Sequence, residues 1–262
     1  MSQDAKPLAG LHALVTGGGH GIGAAIAAEL AGLGADLTLT GRNRTALRAT
    51  AEALGREHGT KARVQEFDLA SSDAIAARLA EAAGRLGPVA ILVNNAGVAP
   101  AAALETTDLA HWRGTFDVNL FAAVLCCKAV LPDMRSMAFG RIVNIASTAG
   151  LIAYAGIPAY VASKHALIGF TRALALDLAK TQITVNAVCP GYADTEMAKA
   201  AIANLTRAGR TEGEARALLT RRNPQGQLVA PQEVARAVGW LCLPGSAAMT
   251  GQAIAVAGGE VM

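Results

Sequence analysis

The sequence predicts an α/β fold, built as a doubly wound parallel sheet of about seven strands in a single domain. Short apolar runs alternate along the 262 residues with longer, Ala-rich stretches of helical character. The chain is 52% hydrophobic and 16% charged, so it can bury a large core and is not disordered. No linker or fixed-period repeat interrupts the alternation, and residues 1–262 are therefore interpreted as one domain.

Seven runs are predicted to be strands, because they are short, apolar and rich in β-branched residues, as strands covered on both faces are. They are LHALVT (11–16), LTLT (37–40), RVQEFD (63–68), ILVN (91–94), RIVNIA (141–146), TVNAV (184–188) and AIAVA (253–257). Helical stretches such as IGAAIAAELAGL and DAIAARLAEAAGRLG lie between them. The polar, helix-favouring segment from 194 to about 227 precedes no strand until residue 253, and we interpret it as a helical lid over a pocket.

Composition argues against several classes of function. The net charge of +3 comes without a long basic run, which argues against nucleic-acid binding. The cysteines Cys126, Cys127, Cys189 and Cys242 form no CxxC pair, and we find no His, Asp or Glu cluster with metal-ligand spacing, so no metal site is expected. We interpret the cysteines as core residues of a reduced, cytoplasmic protein. The polar N-terminus lacks the apolar stretch of a signal peptide. We find no apolar run near the ~18 residues that a membrane span needs, so no membrane partner is expected.

A glycine-rich turn follows the first predicted strand and opens the first helix. Gly17, Gly21 and Gly23 have the spacing G-x-x-x-G-x-G within TGGGHGIG. Glycines permit a tight turn and a close approach of the backbone to a ligand, and a helix N-terminus offers free N–H groups to a pyrophosphate. An ordinary turn is the alternative, but this position after the first strand favours dinucleotide binding.

The segment YVASK places Tyr160 and Lys164 four residues apart, on one face of a predicted helix. A nearby ammonium favours the ionised form of a phenol, so this pair predicts a tyrosine that acts as an acid or base near neutral pH. Taken alone, the pair could equally be a half-buried aromatic residue beside a lysine that reaches to water. Tyr154 is a second candidate, but its i+4 neighbour is Pro158, so no lysine shares its face.

Six motifs together resemble the short-chain dehydrogenase/reductase family over essentially the whole chain. They are TGGGHGIG (16–23), NNAG (94–97), the Asn of FDVNL (119), the Ser of IVNIASTAG (147), YVASK (160–164) and CPGYADT (189–195). The order and spacing of the six are specific, and within the family the chain is most similar to 3-oxoacyl reductases and polyketide ketoreductases. It departs from the family pattern at Gln227 and Ala257, where a basic and an acidic residue are usual.

The resemblance implies a Rossmann-like fold and a catalytic set of four residues. Tyr160 matches the acid/base, and Lys164 matches the partner that lowers its pKa and holds the nicotinamide ribose. Ser147 matches the residue that hydrogen-bonds the substrate oxygen, and Asn119 matches the one that helps to hold a proton-relaying water. The residues implied in cofactor binding are Gly17, Gly19, His20, Gly21, Ile22, Gly23, Arg42, Asn43, Asp68, Leu69, Asn95, Ala96, Gly97, Tyr160, Lys164, Pro190, Gly191 and Thr195.

The end of the second strand bears on the choice of cofactor. An NAD enzyme usually carries a carboxylate there for the ribose hydroxyls, whereas this chain has Gly41, Arg42 and Asn43. The guanidinium of Arg42 could clamp the extra phosphate of NADP, or it could be a solvated residue at the start of a helix. His20 in the glycine turn is mostly neutral at pH 7 and gives only weak support for binding of the extra phosphate of NADP. We expect NADP(H), with NAD(H) as the alternative.

The expected function is hydride transfer between NADP(H) and a carbonyl compound or secondary alcohol, such as a 3-oxoacyl or polyketide-type ketone. One alternative is an NAD-dependent dehydrogenase of a cyclic or hydroxyacyl alcohol. A dinucleotide-sensing protein without turnover is another, although the complete catalytic set argues against it. The G-x-x-x-G-x-G spacing argues against a nucleotide-sugar epimerase. The apolar helices at 108–130 and 159–180, which the family uses for subunit pairing, predict a homotetramer.

Overall fold

The computed structural model of the chain describes residues 6–262 and contains one sheet of seven parallel strands. The strand order is β3-β2-β1-β4-β5-β6-β7, which confirms the predicted doubly wound, Rossmann-like α/β fold. The strands are β1 (His12–Thr16), β2 (Asp36–Gly41), β3 (Ala62–Glu66), β4 (Val89–Asn94), β5 (Gly140–Ile145), β6 (Ile183–Pro190) and β7 (Ala253–Val256). Residues 1–5, part of the stretch expected to lack a signal peptide, lie outside the described residues.

Nine α-helices connect the strands within the described residues. They are α1 (Gly21–Gly32), α2 (Arg44–His58), α3 (Ser72–Leu86), α4 (Leu109–Phe116), α5 (Ala122–Ser136), α6 (Pro158–Asp177), α7 (Glu196–Arg207), α8 (Glu212–Thr220) and α9 (Pro231–Cys242). Alternate strand residues face opposite sides of the sheet. Val15 therefore belongs to the core shared with α1, α2 and α9, whereas its neighbour Leu14 belongs to the core shared with α3, α5 and α6.

Helices α4 and α5 form one continuous helical run, joined by a π-helical turn at Asp117–Phe121. By length and composition the run Leu109–Ser136 could cross a membrane, since an 18-residue window within it has a mean hydropathy of 1.6, so the expectation of no such apolar run was wrong. Length and composition alone are weak evidence for a membrane segment, because the core helices of soluble proteins can be equally long and apolar. Here Cys126, Cys127 and Met134 are buried in the core against the sheet. Packing thus accounts for the buried apolar residues of the run.

The segment between β6 and α9 leaves the sheet and returns to the same place. Asp194 N–H donates to Val229 O at 2.9 Å, and Val229 N–H donates to Tyr192 O at 2.9 Å. Helices α7 and α8 fill the excursion, and α8 begins with a capping box formed by Thr211 and Glu214. The two ends of the excursion are therefore fixed beside the carboxyl end of β6, while α7 lines the neighbouring cavity.

Candidate active site

A cavity of about 1120 Å³ opens at the carboxyl ends of the strands. The sheet order reverses there between β1 and β4, which is the position where open α/β sheets bind ligands. With the exception of Asn119, every residue that the sequence implied in catalysis or cofactor binding lines this cavity. The fold therefore brings all of the predicted set except Asn119 to one cavity.

The glycine turn leaves no room for side chains at its closest points. Gly17 has φ +67°, in the left-handed region that favours glycine. A Cβ on Gly23 would lie 2.1 Å from Gly17 O, and one on Gly21 would lie 3.2 Å from Thr195 Cγ2. The turn thus forms a bare backbone cradle at the N-terminus of α1, which suits a pyrophosphate.

Thr16, which we did not single out from the sequence, fixes this turn against the loop after β4. Its Oγ1 accepts hydrogen bonds from Asn95 N at 2.9 Å and Ala96 N at 3.0 Å. The Asn95 side chain in turn donates to Thr16 O at 2.9 Å and Gly17 O at 3.3 Å. The only sequence signal was the position of Thr16 as the last residue of a buried strand before the glycines.

The residues at the end of β2 and β3 form the outer part of the cavity. Asn43 caps α2 by accepting from Ala46 N at 3.0 Å, so the exposed Arg42 precedes the helix. Across residues 6–262, no carboxylate lies within ion-pair distance of Arg42. The exposed Asp68 and buried Leu69 lie nearby after β3, where the Asp68 carboxylate accepts from Ala70 N at 3.0 Å. An arginine without an acidic partner can contact an anionic ligand group there.

Tyr160 and Lys164 lie together on α6, as their spacing predicts. Lys164 Nζ lies 5.7 Å from the centroid of the Tyr160 ring. The lysine is only 3% exposed, and its ammonium donates to Ile145 O at 2.9 Å, at the end of β5. It is therefore anchored inside the protein and does not reach to water, which removes the alternative left open by the sequence.

The pKa values of this pair shift in a direction that the sequence did not reveal. Burial lowers the pKa of Lys164 from 10.5 to about 8. Burial also raises the pKa of Tyr160 above its ordinary value, and this effect exceeds the lowering by the Ser147 side chain. We expected Lys164 to lower the pKa of Tyr160. The structure gives the opposite direction, because desolvation penalises the phenolate.

Asn119 lies in the π-helical turn, behind the cavity wall. Its Oδ1 accepts from Val98 N at 2.8 Å, and its Nδ2 donates to Val98 O at 2.9 Å. The same Nδ2 donates to the Ser163 hydroxyl at 3.0 Å, and Ser163 donates to Tyr160 O at 2.8 Å. A Cβ on Gly97 would lie 3.2 Å from Asn119 Oδ1 and 3.4 Å from Lys164 Nζ. Asn119 is thus hydrogen-bonded to α6 through Ser163, and Asn119 and Lys164 both lie beside Gly97.

Ser147 follows β5 and lies beside the Tyr160 side chain. Its side chain accepts from Ala149 N at 3.1 Å within a short 3₁₀ turn. The loop with Pro190 and Gly191 follows β6, and Thr195 stands just before α7. The cavity at this end also has walls that the sequence did not indicate, provided by Ala149, Tyr154, Ile157, Tyr192 and Met197.

A family model described as short chain dehydrogenase matches residues 11–206. The chain is 42% identical over 252 residues to a Streptomyces coelicolor protein provisionally named ketoacyl reductase, covering 94% of this chain and 95% of that protein. It is 38% identical over 255 residues to a 3-oxoacyl-acyl-carrier-protein reductase of Pseudomonas aeruginosa, covering 97% of this chain and 99% of that protein. A crystal structure of an actinorhodin polyketide ketoreductase variant with NADPH matches at a TM-score of 0.90 and 41% identity, covering 95% of this chain and 97% of the ketoreductase chain.

Proposed function

The chain belongs to the short-chain dehydrogenase family of oxidoreductases, and from this premise we propose that it reduces a ketone to a secondary alcohol with NADPH. The observation that carries the proposal is the half-buried Tyr160 with the buried Lys164 and with Ser147, in a cavity that also contains a bare glycine turn. A nicotinamide cofactor supplies the hydride when bound. The glycine cradle, which a Cβ on Gly23 would fill, fits its pyrophosphate.

Tyr160 donates the proton to the ketone oxygen in this proposal. Burial raises the pKa of Tyr160, so the phenol is protonated at neutral pH, as a proton donor must be. The Ser147 hydroxyl donates a hydrogen bond to the same oxygen as negative charge develops on it. Lys164 places a positive charge beside the phenol as the proton leaves, and Asn119 fixes the π-helical turn against α6.

NADPH is favoured over NADH by the charge at the end of β2. Gly41 offers no carboxylate to repel a 2′-phosphate, and Arg42 lines the cavity without an acidic partner among residues 6–262. The ketoreductase structure with NADPH supports the same choice.

The substrate class proposed is a 3-oxoacyl or polyketide-type ketone. The relatives named as ketoacyl and 3-oxoacyl reductases support it, as does the largely apolar wall of Ala149, Ile157 and Met197 beside Tyr160. We also propose that the whole chain is one catalytic domain with residues 194–227 as its lid, and that it works in the cytoplasm as a homotetramer.

The test is the exchange Tyr160→Phe, assayed with a panel of β-ketoesters and both NADPH and NADH. The variant should lose nearly all turnover but bind NADPH as the wild type does, since only the proton donor is removed. Lys164→Ala should weaken both turnover and cofactor affinity. If Tyr160→Phe keeps more than about a tenth of the activity, equivalent to less than ~1.4 kcal/mol in barrier, the assignment is wrong.

A further inference from the structure

The hydroxyl of Tyr154 ties the cavity wall to the last residues of the chain. Tyr154 lines the cavity after β5, in the loop that carries Ser147. Its Oη lies 2.6 Å from Glu260 Oε1 and 2.7 Å from Thr148 Oγ1. Thr148 is buried and directly follows Ser147, so the phenol connects the substrate-side turn with the C-terminal segment.

The directions of these hydrogen bonds follow from the groups involved. The Glu260 carboxylate can only accept, so the single phenolic proton is donated to it, and the Thr148 hydroxyl must donate to the phenolic oxygen. Burial and the Glu260 hydrogen bond both raise the pKa of Tyr154, which keeps this proton in place. Because the protein satisfies the hydroxyl, the cavity meets mainly the carbon atoms of the ring.

Glu260 lies between the Tyr154 hydroxyl and the loop after β6. A Cβ on Gly191 would lie 2.9 Å from Glu260 Oε2, so the carboxylate is packed against the loop after β6. On the other side, the Arg222 guanidinium carbon lies 5.0 Å from the centroid of the Tyr154 ring, and Arg222 donates to Ala153 O at 3.3 Å. Tyr154 is thus confined by groups from three separate parts of the chain.

We propose that Tyr154 is a specificity-determining residue whose ring limits the size of the ketone substituent, and that Glu260 is the positioning residue that holds the ring in place. The inference rests on the proposed ketone reduction and narrows its substrate class. The ring, together with the apolar wall of Ile157 and Met197, favours ketones with a compact apolar substituent over those with a bulky ring. Removal of the ring or of its anchor relaxes this limit.

The test compares ethyl acetoacetate with ethyl benzoylacetate, which carries a phenyl group in place of the methyl beside the ketone. Tyr154→Val should shift the ratio of kcat/KM values toward the phenyl compound by about ten-fold or more, the scale on which pocket contacts discriminate. Tyr154→Phe and Glu260→Ala should each shift the ratio in the same direction. Glu260→Gln retains an amide oxygen as acceptor and should restore most of the wild-type ratio.

The double variant Tyr154→Phe with Glu260→Ala distinguishes a coupled pair from two independent effects. It should shift the ratio no further than the larger single exchange, because both remove one hydrogen bond. The melting temperatures of the wild type, the two single variants and the double variant should show the same non-additivity. This readout needs no turnover. Additive shifts in both measurements would overturn the role of Glu260.

Failure of this inference and failure of the proposed function give different results. A wild type that turns over at least one ketone, with a ratio unchanged by Tyr154→Val, overturns the assignment of Tyr154 and leaves ketone reduction intact. A wild type that reduces no ketone in the wider panel with either cofactor overturns the proposed function, and with it the role of Tyr154 in substrate choice.

Discussion

Replacement of Lys164 by methionine should change stability in a manner that depends strongly on pH. The lysine is 3% exposed, and burial lowers its pKa from 10.5 to about 8. At about 1.4 kcal/mol per pKa unit, the cost of keeping this charge buried amounts to about 3 kcal/mol. Methionine has a similar length and no charge, so Lys164→Met avoids that cost while it loses the hydrogen bond to Ile145 O.

The sign follows from proton linkage. Between pH 8 and 10.5 the unfolded chain binds the Lys164 proton and the native protein releases it, so the stability of the wild type rises with pH. The cost is fully present below pH 8 and disappears above pH 10.5. The free energy of unfolding of Lys164→Met minus that of the wild type should therefore be largest at neutral pH. It should fall by about 2 kcal/mol between about pH 7 and about pH 9.5.

The assay is urea unfolding of both proteins at these two pH values, followed by circular dichroism. Burial raises the pKa of the Cys126 and Cys242 thiols, neither of which interacts with Lys164, so their titration in the same range cancels in the difference between the two proteins. The exposed Lys180, exchanged for methionine, provides the matched control and should give a difference that does not vary with pH. A difference that stays constant or grows with pH for Lys164→Met would refute the reasoning.

Three other predictions concern the cofactor and assembly. Gly23→Ala should raise the Kd for NADPH at least ten-fold in a fluorescence titration, because its Cβ would lie 2.1 Å from Gly17 O. Gly84→Ala is the control, because a Cβ there meets nothing within 4 Å. Equal NADPH affinities of the two variants would contradict the proposed phosphate site at the glycine turn. Arg42→Ala should weaken NADPH binding by about ten-fold or more, the loss of a charged hydrogen bond, and leave NADH nearly unchanged. Equal losses, or a wild type that prefers NADH, would overturn that assignment. Light scattering should give a mass near four times 26.6 kDa, and a monomer at micromolar concentration would exclude the tetramer.

The fold and the catalytic motifs could be predicted because their signals are local. Strand β4 was apparent as a run of apolar residues, and Tyr160 and Lys164 were linked by helical spacing alone. Contacts between distant segments had no such signal. Tyr154 and Glu260 stand 106 residues apart, and only the tertiary structure brings the hydroxyl to the carboxylate.

The direction of the Tyr160 pKa could not be predicted from spacing either. The sequence shows that a positive charge is near the phenol, but it does not show how far water is excluded. In the structure, desolvation of Tyr160 is the largest effect and raises its pKa. The membrane-length helix Leu109–Ser136 illustrates the same limit, since apolar composition does not distinguish a lipid environment from the core against which this helix packs.

The paired ends of the excursion between Ala193 and Val229 have a consequence for how this protein could diversify. Because the chain leaves and re-enters at one parallel bridge, the distance that any replacement segment must span is short and constant. The entropic cost of closing such a loop grows only slowly with its length, by about 0.6 kcal/mol for each doubling. Segments of different length and shape could therefore be exchanged at this point, by recombination or by grafting, while the sheet, the glycine turn and α6 remain as they are.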